Sequence, residues 1–191
     1  EKLGVNDGRK LIVSFWGSLG SNAMNRAMAD FLALESAKEP FHHIHGVGEI
    51  CWSSMQQWLS DDSVDLSAHP ALQVREYIYD MAAVMRAADL VICRAGASTL
   101  SELTALGVPA ILVPSPNVTN HHQEKNAALL GDHGAALVLA EDGLDGKKLF
   151  AAAAGLLRDD ARMARMADSM AQLGIRDATE RIYRTVMALV K

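Results

Sequence analysis

A doubly wound, Rossmann-like α/β domain built on a parallel sheet is the fold class that the sequence predicts, and three observations predict it. Short apolar runs alternate with helical periodicities along the whole chain, a pattern that requires parallel strands covered by helices on both faces. Two of these runs lead straight into small-residue turns that open helices: Phe15 into Trp16-Gly17-Ser18-Leu19-Gly20-Ser21, and Cys93 into Arg94-Ala95-Gly96-Ala97. Half of the 191 residues are hydrophobic, enough for the core of one domain.

Lys10 to Phe15 reads as a buried strand, and Asn22 to Glu35 as a helix with Met24, Ala27, Met28, Phe31 and Leu32 on one side. Pro40 breaks the chain, and Phe41 to Val47 reads as the second strand. There His43 and His45 share a face while His42 points the other way. Glu49 to Leu59 reads as a helix and Asp61 to Asp65 as an acidic, solvated connection. Val74 to Ile78 is predicted as the third strand and Met81 to Ala88 as a short helix. Leu90 to Cys93 is the fourth strand. The helix after it is predicted to open at Thr99, with Thr99 and Glu102 spaced as a capping box, and to stop at Gly107. Ala110 to Val113 is the fifth strand, and two prolines make Pro114 to His122 a surface loop. Gln123 to Leu130 is helical, Ala135 to Leu139 is the sixth strand, and Gly146 to Leu157, Asp159 to Leu173 and Asp177 to Val190 are helices. Asp177 is positioned to cap the last of these, whose Ile182, Val186 and Leu189 predict a docked face.

Composition narrows the function. The formal net charge is −5, so no basic surface argues for nucleic acid. The two cysteines, Cys51 and Cys93, lie in separate apolar segments, as reduced thiols do. No apolar run approaches the roughly 20 residues needed to span a bilayer. The chain opens at Glu1 without a methionine and enters a strand almost at once, which suggests a piece of a longer protein.

The chemistry lies at the strand ends. A helix reached through a glycine turn offers backbone amides and its positive dipole end to an anion, and open parallel sheets bind ligands there. Two such loops side by side suit a phosphate or diphosphate, with Arg94 able to add charge. By spacing alone Glu102 is either the partner of Thr99 in a cap or a carboxylate facing a ribose diol. His42, His43 and His45 lack nearby cysteine or carboxylate partners to complete a metal site. The dinucleotide fingerprint G-x-G-x-x-G is absent, which argues against a nicotinamide cofactor.

Several ordered motifs carry a resemblance. Cys93-Arg-Ala-Gly-Ala-Ser-Thr-Leu-Ser-Glu102, Gly107-x-Pro109, Val113-Pro-Ser-Pro, His122-Gln-Glu-Lys-Asn126, the Phe15 to Gly20 loop with Asn25, and Asp177-Ala-Thr-Glu-Arg181 together resemble the C-terminal half of the MurG family. Those enzymes transfer N-acetylglucosamine from UDP-GlcNAc to lipid-linked muramyl pentapeptide in peptidoglycan synthesis. The resemblance implies a GT-B glycosyltransferase, with residues 1–191 as its UDP-sugar donor domain and the helix at about 177–191 packing toward an N-terminal domain. Carried over by position, the backbone of Ile78 would read the uracil and Glu102 the ribose hydroxyls. Ser18, Arg94, Gly96, Ala97, Ser98 and Thr99 would cradle the diphosphate, and His122 and Gln123 would face the sugar hydroxyls.

It implies no cofactor and no metal. The base, the lipid acceptor site and the membrane-contacting patch are implied in the family's first half, so no catalytic residue is expected here and the chain alone is expected to be inactive. The family's setting is peripheral, on the cytoplasmic side of the bacterial membrane, in cell-wall biogenesis, cell division and cell shape. The family often has Gly-Gly-Ser-Gln-Gly-Ala at the first loop and Gln-Gln at the sugar loop, where this chain has Leu19 and His122. Two other readings share the fold: a stand-alone soluble donor subunit that pairs with a membrane subunit, and a UDP-GlcNAc 2-epimerase-like domain.

Overall fold

The computed structural model describes residues 7–38 and 40–190. Lys191, at the end of the last expected helix, lies outside them. Six parallel strands form one sheet: β1 (Leu11–Phe15), β2 (His42–Gly46), β3 (Leu72–Arg75), β4 (Leu90–Cys93), β5 (Ala110–Leu112) and β6 (Ala136–Val138). Their spatial order is β3-β2-β1-β4-β5-β6. The chain therefore reverses its direction of travel across the sheet between β1 and β4, which makes this the topological switch point where such sheets hold ligands. Phe15 pairs with Cys93 in register, so the two loops after these residues start side by side.

Among the described residues, five α-helices connect the strands, α1 (Asn22–Ser36), α2 (Trp52–Asp61), α3 (Met81–Ala87), α4 (Ala97–Leu106) and α5 (His122–Asp132), and three follow β6, α6 (Gly146–Leu157), α7 (Asp160–Gln172) and α8 (Ala178–Leu189). Two apolar clusters result, one on each face of the sheet. Ile12, Leu90, Ile92 and Ile111 pack with Phe31, Met55 and Leu149 on the side covered by α1, α2 and α6. Val13, Val91, Ala110 and Leu112 pack with Val84, Leu103 and Leu130 on the side covered by α3, α4 and α5. The alternation within β1 and β4 divides neighbouring residues between the two clusters. Both cysteines are free and buried, and burial pushes the Cys93 thiol up to about 12.

Four expectations are corrected. β3 runs over Leu72–Arg75 rather than Val74 to Ile78. Its pairing tracks β2 residue for residue and ends at Gly46, so Ile78 leaves the sheet and tucks over Gly46 instead. α4 opens at Ala97 with Gly96 as its N-cap and no side-chain cap, so Thr99 and Glu102 form no capping box. Asp177 makes no side-chain cap on α8; its carboxylate pairs with Arg181 at 2.8 Å. Lastly, α8 buries none of its residues, and Ile182, Val186 and Leu189 are 64%, 50% and 79% exposed, so the face is not docked on the other described residues of this chain.

Candidate functional site

The site is built from the loops after β1 and β4. Within the first loop, Gly17 and Gly20 take left-handed backbone angles (φ 82° and 81°), which turn the chain from strand into α1. The loop from Val47 to Gly48 backs it closely. A Cβ on Gly20 would collide with the Val47 carbonyl, and one on Gly48 with the Gly20 amide. Only two glycines allow this approach. Beside them, Asn126 Nδ2 donates to Ala95 O at 3.0 Å and holds the turn that opens α4.

Two adjoining clefts open at these loops. The first, about 370 Å³, lies between the first glycine loop, the segment after β3 and the start of α4. Ser18, Ile78, Ser98, Thr99 and Glu102 all line it, joined by Tyr77 and Met81. Residues 98, 99 and 102 share one side of α4 because three and four positions make one helical turn. Since α4 opens at Ala97, Glu102 is spared from capping, and its exposed carboxylate faces the cleft. The second cleft, about 570 Å³, shares Gly17 and Ser18 with the first and adds Arg94, Gln123, Asn117 and Glu141.

The guanidinium of Arg94 is tightly held. Nη1 donates to Glu141 Oε2 at 2.5 Å and to Val113 O at 3.1 Å, and Nη2 donates to Ser21 Oγ at 3.1 Å. It also lies 5.8 Å from the Trp16 ring centroid. Arg94 thereby ties the first glycine loop to the end of β5, with its charge compensated by Glu141. Gln123 Oε1 accepts from Ser115 N at 2.9 Å and pins the loop after β5.

Three expected site residues are not brought into either lining. Gly96 and Ala97 form the corner at which α4 starts, and the cleft is met by side chains one turn further on. His122 is exposed, and its Nδ1 turns back to Thr119 O at 2.9 Å, because Asn120 and His121 adopt left-handed angles just before it. Conversely, the site includes Glu141, which no motif marks, and Ser21, the last residue of the first glycine loop, to which no role was expected. Glu141 lies 47 positions from Arg94, and no local pattern signals such a pair. The histidines of β2 are all engaged: His42 with Asp7 at 2.8 Å, and His43 and His45 in a buried network.

A doubly wound sheet, two glycine loops at its switch point and a carboxylate-bearing helix beside them define the C-terminal domain of a GT-B glycosyltransferase. The chain belongs to the glycosyltransferase family 28 C-terminal domain, which it matches over residues 11–182. It is 45% identical over 183 residues to the UDP-N-acetylglucosamine–N-acetylmuramyl-(pentapeptide) pyrophosphoryl-undecaprenol N-acetylglucosamine transferase of Salinibacter ruber, covering 96% of this chain and 47% of that protein. The crystal structure of Acinetobacter baumannii MurG superposes with a TM-score of 0.79 at 30% identity, over 96% of this chain and 53% of that one. A UDP-GlcNAc 2-epimerase from Neisseria meningitidis superposes at 0.66 with 15% identity over 96% of this chain and 46% of that one, a likeness of fold alone. The chain spans about half the length of the curated relatives it matches.

Proposed function

We propose that this chain is the UDP-GlcNAc-binding half of an inverting N-acetylglucosaminyltransferase of peptidoglycan synthesis, the step that converts lipid I to lipid II. The observation that carries the reading is the first cleft: Ser18, Ile78, Ser98, Thr99 and Glu102 converge there at the switch point from three separate segments. A uridine diphosphate has the chemistry of that lining. Backbone groups at Ile78 suit a uracil edge, the Glu102 carboxylate accepts two bonds from a ribose diol, and hydroxyls and the α4 N-terminus suit a diphosphate. The adjoining cleft, lined by Gln123 and Asn117, would take the sugar.

In the reaction the acceptor's C4 hydroxyl attacks the anomeric carbon, its C–O bond forming as the bond to the UDP oxygen breaks. The hydroxyl proton passes to a base supplied by a preceding N-terminal half. The leaving diphosphate is stabilised by amides and the helix dipole of this half. That other half would also hold the lipid acceptor and meet the cytoplasmic face of the membrane, and the apolar stripe of α8 would pack toward it. Family membership and 45% identity to a transferase favour this reading over an epimerase.

Calorimetric titration with UDP-GlcNAc, UDP and UDP-glucose tests it. The chain should bind UDP-GlcNAc, and Glu102→Ala should weaken binding at least tenfold, about the worth of one charge-assisted hydrogen bond to a carboxylate. Equal binding by Glu102→Ala would remove the carboxylate from the ribose site.

A further inference from the structure

Beneath the first glycine loop runs a line of buried polar side chains that neither cleft uses. Ser14, Asn25, Glu35, His43 and His45 are each 0% exposed. Glu35 Oε2 lies 2.7 Å from His43 Nδ1, and His43 Nε2 lies 2.7 Å from Ser14 Oγ. Ser14 Oγ lies 2.7 Å from His45 Nδ1, and His45 Nε2 lies 3.0 Å from Asn25 Oδ1. Asn25 Nδ2 donates to Val47 O at 2.9 Å. The line runs along much of α1. Glu35 and Asn25 are ten positions apart on that helix, about 15 Å at 1.5 Å per residue.

Its polarity is fixed from the loop end. The Val47 carbonyl only accepts, so Asn25 presents its NH2 there and its oxygen to His45. That oxygen requires a proton on His45 Nε2. Burial keeps the His45 ring neutral, so Nδ1 is bare and takes the Ser14 hydroxyl proton. Ser14 has only one proton, so its oxygen accepts from His43 Nε2–H. His43 Nδ1 and Glu35 Oε2, at 2.7 Å, must then share one further proton, because two bare lone pairs would repel at that distance. From Asn25 to His43 each link has one donor and one acceptor, and reversing any of them sets donor against donor or acceptor against acceptor; at the far end Glu35 Oε1 is buried without a partner.

The end of this line is the piece of backbone that shapes the loop. Val47 O is the atom a Cβ on Gly20 would strike, and Gly48 backs Gly20 on the other side. We propose that Glu35, His43, Ser14, His45 and Asn25 are positioning residues for the donor site: a one-directional buried relay that holds the Val47–Gly48 segment and thereby sets the first glycine loop against the diphosphate. The consequence for binding rests on the donor-site reading; the relay itself does not.

The test uses the 191-residue chain. Nitrogen-15 NMR of labelled histidines should show His45 protonated at Nε2 with Nδ1 bare, and His43 protonated at Nε2. A His45 ring protonated at Nδ1 alone would overturn the relay, and this measurement needs no variant. Ser14→Ala cuts the line between the two rings. It should speed exchange of the Gly48 amide, bonded to Glu76 O, and of the Asn25 amide, bonded to Ser21 O, by about tenfold, while the β4 and β5 amides keep their rates. Ser14→Thr, which keeps the hydroxyl, should restore the slow rates.

Unchanged loop exchange in Ser14→Ala, or an equal rise across the whole sheet, would overturn the positioning role. In a chain that binds UDP-GlcNAc, Ser14→Ala should weaken binding about tenfold. A wild-type chain that binds no uridine nucleotide would strike the donor-site reading, and the ring and exchange measurements would still judge the relay.

Discussion

Arg94 and Glu141 show how one residue's role depends on a partner far along the chain. Arg94 sits at the end of β4, where a charge for the diphosphate is expected, yet its guanidinium is committed to Glu141, Ser21 and Val113 O. Its side chain is 13% exposed and that of Glu141 20%, so removing either leaves a charge that water only partly reaches. Glu141→Ala should destabilise the chain by about 2 kcal/mol, measured by urea unfolding. His45 sets a pH dependence. Its folded value is lowered to about 3, burial being the main cause, against an ordinary 6.5. Below pH 6.5 the unfolded chain takes up a proton that the folded ring refuses. The His45 contribution is therefore fully present above pH 6.5 and is lost progressively as pH falls toward 3, at about 1.4 kcal/mol per unit. An NMR titration should find the His45 ring neutral past pH 5, and unfolding free energy should fall over the same window.

Among the elements, helix starts decide what the site residues do. The Thr99-x-x-Glu102 spacing was legible as a capping box, but the helix begins two residues earlier at Ala97. That start is set by β4 ending at Cys93 and by Asn126 holding the Ala95 carbonyl, neither of which local sequence encodes. The shift moves Glu102 from a cap to a cleft wall. Side-chain caps form elsewhere: Asp145 accepts from Lys148 N on α6, and Asp159 from Arg162 N on α7. Asp145→Ala should cost about 1 kcal/mol in thermal or chemical unfolding. The pair Gly20 and Gly48 is less forgiving. Gly48 has φ 89° and its Cβ would meet the Gly20 amide, so Gly48→Ala should destabilise by about 3 kcal/mol and weaken UDP-GlcNAc binding, read in one calorimetric series.

For the molecule as a whole, the sheet order places both glycine loops together, and α8 stands apart. α8 buries no residue while Ile182, Tyr183, Val186 and Met187 form an exposed stripe. A chain ending at Arg176 should therefore unfold within about 1 kcal/mol of the full one. Periodicity was enough to make six strands, eight helices and a doubly wound parallel sheet legible, because burial on both faces of a parallel sheet writes itself as apolar runs and helical stripes in every unit. The glycine loops were legible for a related reason, since a tight turn between strand and helix restricts residue type locally; Ser18, Ser98, Thr99 and Glu102 were assigned to the site by the family resemblance, not by period or spacing. Other features were decided by tertiary packing alone. Ile78 leaves the sheet because β2 ends at Gly46, Glu102 is released by the true start of α4, Arg94 is claimed by Glu141, and His43 and His45 become links in a buried line while His42 pairs with Asp7. Each of these depends on contacts between residues distant in the chain, and period and spacing carry information only about near neighbours.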